Sequence, residues 1–437
     1  MRPMKLKTKI LAAAAMFAPV ALNAQDAPVA AQPMAATSAS ALVASAQVVS
    51  FYQRFQMNEI WASDPQAIAE VVRLLRRAPV DGFLAGPQYA SHIEVQASQL
   101  STMTPEQRAE FDKLISTAWV SYVQKLREPV PGMIYGDAYA SPVGTQTHEI
   151  LLTAQAAPSR AVYANEAASV NYFYDNIRRA VLADMEARGL QAPDARAAAN
   201  LERARAMPAG GRYVVVDAAT QTLFMMENGQ PVDQMKVIVG TDQFPTPMIA
   251  STIYYATFNP YWNVPDHLVR QTVGRRILSE GTGYTKPRGY ELMSDWTNDA
   301  VVMPLNSVNW QDVISGKRTV RVRQQPGPGN SMGKVKFNFP NGEGIFLHDT
   351  PSKHLFAKES RDLSNGCIRL EDAFRLGQWL MKAPAVAPSS EAELHVALPE
   401  PVRVYVTYLT AQPVRSTDQD TLQLSYTKDI YSIDPAA

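Results

Sequence analysis

The first half of the chain carries apolar residues at the spacing of amphipathic helices. They recur three and four positions apart in three stretches. The stretches are Ile68, Val71, Val72 and Leu75; Phe111, Leu114, Ile115, Ala118, Tyr122 and Leu126; and Val170, Phe173, Tyr174, Ile177, Val181 and Met185. Thr104-Pro105-Glu106-Gln107 forms a capping box ahead of the second stretch, and Gly189 can end the third. The pattern predicts a helical domain over residues 49–209.

From about Gly210 onward the pattern changes to the short apolar runs of β-strands. A turn at Asn228-Gly229 separates two runs, as in a hairpin. The predicted strands are Tyr213–Val216, Leu223–Met226, Met235–Val239, Val335–Phe339, Ile345–His348 and Val402–Leu409, with a short helix after Leu370 that buries Phe374, Leu376, Trp379 and Leu380. We therefore predict an α+β fold. A mostly-β domain over residues 210–410 follows the helical domain, and a tail, 411–437, packs on the helices.

The mostly-β domain is interrupted by a long segment over about residues 260–325. It is rich in Gly, Pro, Asn and Trp, and only Arg270–Leu278 has a helical pattern. Long irregular inserts inside a domain are usually lids or binding loops. A surface excursion without a function is the alternative. We expect a lid.

The first 24 residues have the layout of a secretory signal peptide. Four basic residues up to Lys9 precede an apolar run over residues 10–22, and Ala24 offers a cleavage point. A run of about 13 residues is shorter than the roughly 20 that a transmembrane helix needs. A retained signal anchor is the alternative. Residues 25–48 are rich in Ala, Gln, Pro and Ser, and are predicted to be a flexible linker. We expect a soluble protein that is exported to the periplasm.

Composition excludes several classes of function. Without the four basic residues of the signal, 37 Lys and Arg (41 − 4) face 41 Asp and Glu. Such a chain lacks the basic surface that binds nucleic acids and anionic membranes. The six His and the one Cys are scattered, without the spacing of metal ligands. We expect no metal, no cofactor, no nucleic-acid partner and no transmembrane segment in the mature chain.

The single cysteine, Cys367, is the most informative residue. Exported proteins normally use cysteines in pairs, because oxidising compartments join them. One cysteine in such a protein is either an intermolecular link or a free reactive thiol. Among all proteins, however, a lone cysteine is more often a small buried apolar residue than a nucleophile. The neighbours of Cys367 must therefore decide.

Those neighbours favour chemistry at Cys367. His348 ends a predicted strand, whose fixed backbone would aim its ring. A nearby imidazole is the usual means of converting a thiol into a thiolate at neutral pH. Gly366 permits a tight turn, in which the amides of Gly366 and Cys367 can hold an oxyanion. A helix starting near Glu371 can add its positive end. The residues predict a cysteine acyl-transfer site.

The stretch from His348 to Arg369 resembles the signature of the L,D-transpeptidase (YkuD-type) family. That signature is a histidine, a spacer, then Ser/Thr-His-Gly-Cys, an apolar residue and Arg or Asn. Other segments resemble the large, scaffold-bearing members. They are Arg323-Gln-Gln-Pro-Gly-Pro-Gly-Asn330 with Gly333-Lys-Val-Lys-Phe337, Asn259–Pro265 at the start of the substrate lid, Leu201–Arg205 in the scaffold and Asp429-Ile-Tyr431 in the tail. The resemblance covers roughly residues 50–437 and implies a β-sandwich catalytic domain with a lid insertion.

Two departures from the family pattern bear on function. Asn365 stands where the family has a second histidine, just before the glycine. Large members also often carry a peptidoglycan-binding domain between scaffold and catalytic domain. Residues 145–205 leave no room for one, so that route of glycan anchoring is not expected.

The resemblance implies a reaction on the peptide stems of peptidoglycan. Cys367 attacks the amide before the terminal D-alanine of a tetrapeptide, forms a thioester and passes the acyl group to an amine of a neighbouring stem. His348 is the base and later the acid, and the backbone carbonyl of Asp349 orients it. Arg369 either binds a stem carboxylate or is a structural arginine paired with a buried acid. The other candidate substrate contacts are Ser364, Asn365, Tyr261 and Trp262, of which the two aromatic residues are equally typical of a core.

Several alternatives remain open. The same thioester would serve a carboxypeptidase, if water resolves it, or an exchange of D-amino acids. Sortases also run His, Cys and Arg along the chain, but space them far apart, whereas Arg369 follows Cys367 by two positions. Papain-like endopeptidases place the cysteine before the histidine. A non-catalytic peptidoglycan-binding homologue should have lost Cys367 or His348, and both are present.

Overall fold

The computed structural model of the chain describes residues 42–142, 146–415 and 422–436, and the chain from Leu42 onward forms one compact unit. The predicted signal peptide and most of the predicted linker lie outside the described residues. The linker prediction is wrong at its end, because helix α1 begins at Ala46. Val48 is fully buried in that helix, so this segment belongs to the folded core.

The N-terminal half is helical, as predicted. Its helices are α1 (Ala46–Phe55), α2 (Pro65–Arg77), α3 (Gly86–Ala97), α4 (Pro105–Leu126), α5 (Thr147–Ala156), α6 (Arg160–Ala168), α7 (Tyr172–Arg188) and α8 (Ala195–Ala204). Thr104 and Gln107 form the predicted capping box of α4. Gly189 ends α7 with a φ of 66°, a left-handed conformation that favours glycine. The capping signals of the sequence are therefore confirmed.

The C-terminal half is mostly β. Its strands, with one short strand from the helical half, are β1 (Ile134–Tyr135), β2 (Arg212–Asp217), β3 (Thr222–Glu227), β4 (Gln230–Gly240), β5 (Ile249–Phe258), β6 (Trp262–Asn263), β7 (Tyr290–Met293), β8 (Val302–Met303), β9 (Arg321–Gln324), β10 (Val335–Asn338), β11 (Phe346–His348), β12 (Asp362–Ser364), β13 (Ile368–Leu370), β14 (Leu394–Thr407), β15 (Ala411–Arg415) and β16 (Leu422–Tyr426). The α+β fold class is confirmed.

Eight strands of the main sheet pair in a closed ring. Their order is β5-β10-β11-β13-β4-β3-β2-β14, and β14 pairs again with β5. Alternate residues of β2 face different cores: Val214 and Val216 lie inside the ring, whereas Tyr213 and Val215 pack with the helical domain. Strand β11 lies four positions from β2 around the ring, so its outer face points away from the helices.

The long insert is not the irregular segment that the sequence predicted. It contains helices α9 (Asp266–Leu268), α10 (Gly274–Glu280), α11 (Thr282–Arg288) and α12 (Trp310–Ile314), a π-helical turn at Val269–Val273, and a four-stranded sheet in the order β6-β9-β7-β8. Val269, Val273, Val313 and Val322 are among the buried residues of a separate apolar core. The insert is therefore a small subdomain, which we call the lid subdomain.

The chain after Cys367 closes the fold. Helix α13 (Ala373–Met381) buries Leu376 and Leu380, but Phe374 is 39% exposed, so its predicted burial is wrong. The tail forms the β15–β16 hairpin and packs against α7. Among the described residues, no helix combines the length and apolar character that a membrane crossing requires.

Candidate active site

The outer face of β10, β11 and β13 carries polar residues together with Phe346, whereas their inner face is apolar. The alternation is strict: Val335, Phe337, Leu347, Ile368 and Leu370 all lie in the core of the ring. The residues between them therefore point outward. This outer face carries the chemistry that the sequence indicated.

Three of these outward residues form a row across the sheet. Lys336 is paired in register with His348 between β10 and β11, and His348 is paired with Arg369 between β11 and β13. Lys336 and His348 are buried, and Arg369 is half-buried. The imidazole is thus flanked by a cation on either side.

Cys367 lies on the same face as His348. It directly precedes β13 and takes the alternate position to buried Ile368, whose partner on β11 is Leu347. The thiol is half-buried, which leaves it within reach of a substrate. Its Sγ donates to the carbonyl oxygen of Gly344 at 3.6 Å and not to the imidazole. The two reactive side chains share one face, without a hydrogen bond between them in this state.

The protonation of His348 follows from its surroundings. Nδ1 lies 2.5 Å from the backbone oxygen of Asp349, where the resemblance implied an orienting contact. A carbonyl only accepts, so Nδ1 carries the proton and Nε2 is free to act as a base. Burial and the nearby charge of Arg369 lower the pKa of His348 to about 4. The imidazole is therefore neutral at pH 7.

The thiol is also neutral at rest. Burial raises the pKa of Cys367, although the backbone at Phe346 and the charge of Arg369 oppose this rise. The resting site is therefore not a thiolate–imidazolium pair. The proton must instead leave the sulfur as the thiol attacks.

The carboxylate of Asp349 is turned away from His348. It accepts a hydrogen bond from the backbone N–H of Lys334 at 2.9 Å and pairs with Lys353 at 2.8 Å. This arrangement requires Gly333, which has a φ of 63° and where a Cβ would lie 2.3 Å from an Asp349 oxygen. The backbone of Asp349 makes the hydrogen bond to the imidazole, while the charge of its carboxylate opposes the lowering of the pKa of His348.

Ser364 and Gly366 build the turn that presents the cysteine. The Ser364 hydroxyl donates to the carbonyl oxygen of Cys367 at 2.6 Å and accepts from the Gly366 N–H at 3.2 Å. Ser364 is buried, so its predicted contact with substrate is wrong. The Gly366 amide donates to Ser364, and its role as an oxyanion donor stays a prediction. Of the two amides predicted to hold the oxyanion, that of Cys367 is the one that does not donate to Ser364.

The helix after Cys367 begins at Ala373. Helix α13 follows the far end of β13, and Asp372 caps it by accepting from the N–H of Arg375. A helix terminus acts over little more than its own first turn. Assistance of Cys367 by the positive end of this helix therefore stays a prediction.

Arg369 has no acidic partner in the ranges that the structure describes. Burial lowers its pKa, and the electrostatic effect that opposes this lowering comes from Cys367. A structural arginine paired with a buried acid, one of the two predicted roles, is thus not observed. Asn365 is exposed within the turn Ser364–Cys367, which we call the nucleophile turn after its predicted role. Its contact with a substrate stays a prediction.

The two predicted aromatic contacts, both half-buried, lie at the base of the lid subdomain. The ring of Trp262 packs 6.3 Å from that of Tyr290, against the lid core. Tyr261 stacks under Arg323, whose guanidinium lies 4.2 Å from the ring centre, and its N–H donates to Glu393 at 2.6 Å. Their contact with substrate stays a prediction.

A link between the lid subdomain and the surroundings of His348 was not predicted from the sequence. Glu393 accepts the Tyr261 N–H with one oxygen and pairs with Lys336 at 2.6 Å with the other. Lys336 is the residue opposite His348. The period-2 pattern around Lys336 showed that it faces away from the core, which is the signal that could have found it.

Comparison with protein families identifies two segments of the chain. Residues 211–402 match the family described as the L,D-transpeptidase catalytic domain, YkuD. Residues 46–181 match the family described as the scaffold domain. Both Cys367 and His348 lie within the first match.

Individual relatives match over part of their length. A protein of Haemophilus influenzae named as a candidate L,D-transpeptidase is 32% identical over 185 residues, which cover 42% of this chain and 37% of that protein. A solved L,D-transpeptidase from Mycobacterium smegmatis is 13% identical, with a TM-score of 0.24, over 45% of this chain and 59% of its own. L,D-transpeptidase 3 from Mycobacterium tuberculosis, with a faropenem-derived adduct, is 14% identical, with a TM-score of 0.21, over 45% and 60%. Each match spans less than two thirds of the relative.

Proposed function

Because the chain carries the L,D-transpeptidase catalytic domain of the YkuD family and a scaffold domain, we propose that it is a periplasmic peptidoglycan L,D-transpeptidase with Cys367 as its nucleophile. The observation that carries the proposal is the shared outer face of β11 and β13. That face holds a half-buried Cys367, a neutral imidazole fixed at Nδ1, and the guanidinium of Arg369, which has no acidic partner among the described residues.

Acylation begins with a proton transfer. The thiol exchanges its hydrogen bond to Gly344 for one to Nε2 of His348. Nε2 takes the S–H proton while the sulfur attacks the carbonyl carbon that precedes the terminal D-alanine of a tetrapeptide stem. The S–C bond forms, and the carbonyl oxygen becomes an oxyanion.

The collapse of this intermediate releases D-alanine. The C–N bond breaks, and the imidazolium of His348 returns its proton to the departing amine. Arg369 and Lys336 flank the ring, so a positive imidazole is disfavoured and the proton is readily given up. The product is a thioester on Cys367 with a neutral base beside it, ready for a second substrate.

The second step repeats the first in reverse. An amine of a neighbouring stem attacks the thioester, and Nε2 takes the proton that the amine loses. The C–S bond breaks, the sulfur regains a proton, and a new amide joins the two stems. No cofactor takes part in either step.

Two further groups have assigned roles. The amide of Cys367 donates to the oxyanion, since the Gly366 amide is engaged by Ser364. Arg369 binds the carboxylate of the stem, because a half-buried guanidinium without an acid matches a bidentate anionic partner.

If water attacked the same thioester, the protein would act as a carboxypeptidase. If a free D-amino acid attacked it, the product would be an exchanged stem. The outcome is measured by incubating the protein with purified disaccharide tetrapeptides and identifying the products by mass spectrometry. We expect crosslinked dimers and free D-alanine in equal amounts. D-Alanine without dimers would assign a carboxypeptidase, and no turnover with retained binding would assign a non-catalytic binder. Cys367→Ala is the control and should release no D-alanine.

A further inference from the structure

A short C-terminal segment, residues 429–434, links the helical domain to the loop between β4 and β5, and that loop contacts the turn that presents Cys367. We call it the strap. At one end, Asp434 is held by Arg196 at 2.8 Å and by Arg203 at 2.6 Å, both on helix α8. The Asp434 side chain is only 4% exposed, and Arg203 also donates to the backbone oxygen of Ile433. The strap is thus firmly fixed to the scaffold.

Asp429 and Tyr431 of the strap are fixed to Tyr408, the residue that follows strand β14. Tyr408 donates to Asp429 at 2.7 Å and accepts the backbone N–H of Tyr431 at 3.1 Å. The rings of Tyr408 and Tyr431 stack with their centres 5.0 Å apart. These contacts set the direction in which the Tyr431 hydroxyl points.

The side chain of Tyr431 contacts the loop between β4 and β5. The Tyr431 hydroxyl donates to the carbonyl oxygen of Gly240 at 2.9 Å and accepts the backbone N–H of Thr246 at 3.2 Å. Both groups lie more than 180 residues earlier in the chain, since the separations are 191 and 185. One hydroxyl therefore joins the two ends of this loop.

Thr246 connects this loop to the nucleophile turn through a hydrogen bond. Its buried hydroxyl donates to the carbonyl oxygen of Gly366 at 2.8 Å and accepts the N–H of Gly240 at 2.8 Å. Gly366 has a φ of 102° and no side chain of its own, so hydrogen bonds to its backbone determine its orientation. The next residue is Cys367.

We infer that Tyr431 and Thr246 are positioning residues, through which the strap ties the helical scaffold to the nucleophile turn and fixes the aim of Cys367. This inference rests on the proposed function only in taking Cys367 as the nucleophile. It gives the helical domain a part in the reaction, although that domain packs on the opposite side of the ring.

The chain offers a matched control for the test. Tyr431→Phe keeps the ring and its stacking on Tyr408 and removes only the hydroxyl. Tyr426→Phe makes the same change in the same tail, where the ring lies 4.2 Å from the guanidinium of Arg196. The Tyr426 hydroxyl is buried and has no hydrogen-bond partner among the described residues, so its removal breaks no contact of this kind.

The first measurement is hydrogen–deuterium exchange of the peptide that contains Ser364–Cys367, in the full-length protein. It does not depend on any reaction of the thiol. We expect at least about tenfold faster exchange in Tyr431→Phe and Thr246→Val than in the parent. Tyr426→Phe should exchange like the parent.

The second measurement is the rate of Cys367 acylation by a carbapenem, followed by intact mass over a range of concentrations. We expect the limiting rate to fall about tenfold in Tyr431→Phe and Thr246→Val, because a misaimed nucleophile loses rate without losing binding. The half-saturating concentration should not change. Thr246→Ser keeps the hydroxyl and should restore the parent rate.

The outcomes separate the two claims. If the parent is acylated and Tyr431→Phe matches Tyr426→Phe in both measurements, the strap does not position the turn and the inference is overturned. If the parent is not acylated, the proposed function fails, and hydrogen exchange alone decides the inference in the same way. Should Tyr431→Phe fail to fold, the Thr246→Val and Thr246→Ser pair gives the same decision.

Discussion

His348 is paired in register with Arg369 between β11 and β13, so a cation is the direct neighbour of the imidazole. Burial is the main cause of the low pKa of His348, and the charge of Arg369 adds to it. The same charge opposes the rise that burial causes in the pKa of Cys367. The first effect keeps the base neutral, and the second eases loss of the thiol proton. One arginine therefore assists both partners of the proton transfer.

The pH dependence of acylation should report this arrangement. The base acts when neutral, so the rate should stay flat below neutral pH and fall to half near the pKa of His348, about 4. Arg369→Met removes the cation and should move this acidic limb to higher pH. The rate of carbapenem acylation, measured from about pH 3.5 to about pH 8, covers the titration of His348 and checks both expectations.

The exposed Arg375 of α13 provides the control for that profile. It pairs with Asp233, away from the β11–β13 face. Arg375→Met should leave the acidic limb in place. A parent limb centred near 6.5, the ordinary value for histidine, would contradict the assigned surroundings of His348.

Removing the charge of Glu393 should shift the same limb in the opposite direction. Glu393→Gln leaves Lys336 uncompensated beside His348, while the amide oxygen can still accept the Tyr261 N–H. A more positive neighbour disfavours the imidazolium, so the limb should move down by about half a pH unit. Adding Lys336→Met should reverse the shift. Glu391→Gln changes an exposed acidic residue nearby and should leave the acidic limb in place. If the limb did not move in Glu393→Gln, the charge of Glu393 would not act on His348.

Stability should depend on the protonation of His348. Its pKa in the folded state, about 4, lies below the ordinary 6.5. Between these values the unfolded chain binds a proton that the folded chain does not, so stability is lost as pH falls from 6.5 toward 4. The loss attributable to this residue is about 3 kcal/mol. Urea unfolding of the parent and of His348→Gln at pH 7 and pH 4.5 measures it. A difference between the two proteins that does not change with pH would refute the assignment.

Gly333→Ala should damage the support of the base. The added Cβ would meet Asp349, and the φ of 63° is strained for alanine. We expect a loss of about 1–3 kcal/mol in unfolding free energy and slower acylation, since the Asp349 carbonyl holds Nδ1. Gly329→Ala, in the same loop with open space around it, is the control and should change stability little. Equal stability of the two variants would be inconsistent with this packing.

The fold was largely predictable where the pattern was long or strict. Helix α4 follows from its apolar spacing and capping box, and strand β10 from the alternation of Val335, Phe337 and Phe339. That alternation also showed that Lys336 faces away from the core. The sheet of the lid subdomain was not predicted, because its strands have two to four residues and are too short to show a periodic pattern.

The site was predictable in its residue types but not in its register. Sequence identifies His348 and Cys367, but the row from Lys336 to Arg369 depends on the order in which strands pair around the ring. The roles of Ser364 and Gly366 depend on one hydrogen bond inside their turn. Tyr431 lies 185 residues from Thr246, and no local pattern joins them.

The most direct test of the account is to trap the acyl-enzyme itself. The protein is mixed with a disaccharide tetrapeptide, quenched in acid within one turnover, and analysed by intact mass and peptide mapping. We predict an added mass equal to the stem without its terminal D-alanine, located on Cys367, released by hydroxylamine and absent from Cys367→Ala. D-Alanine release by the parent without any such adduct, or an adduct that persists in Cys367→Ala, would contradict the central claim.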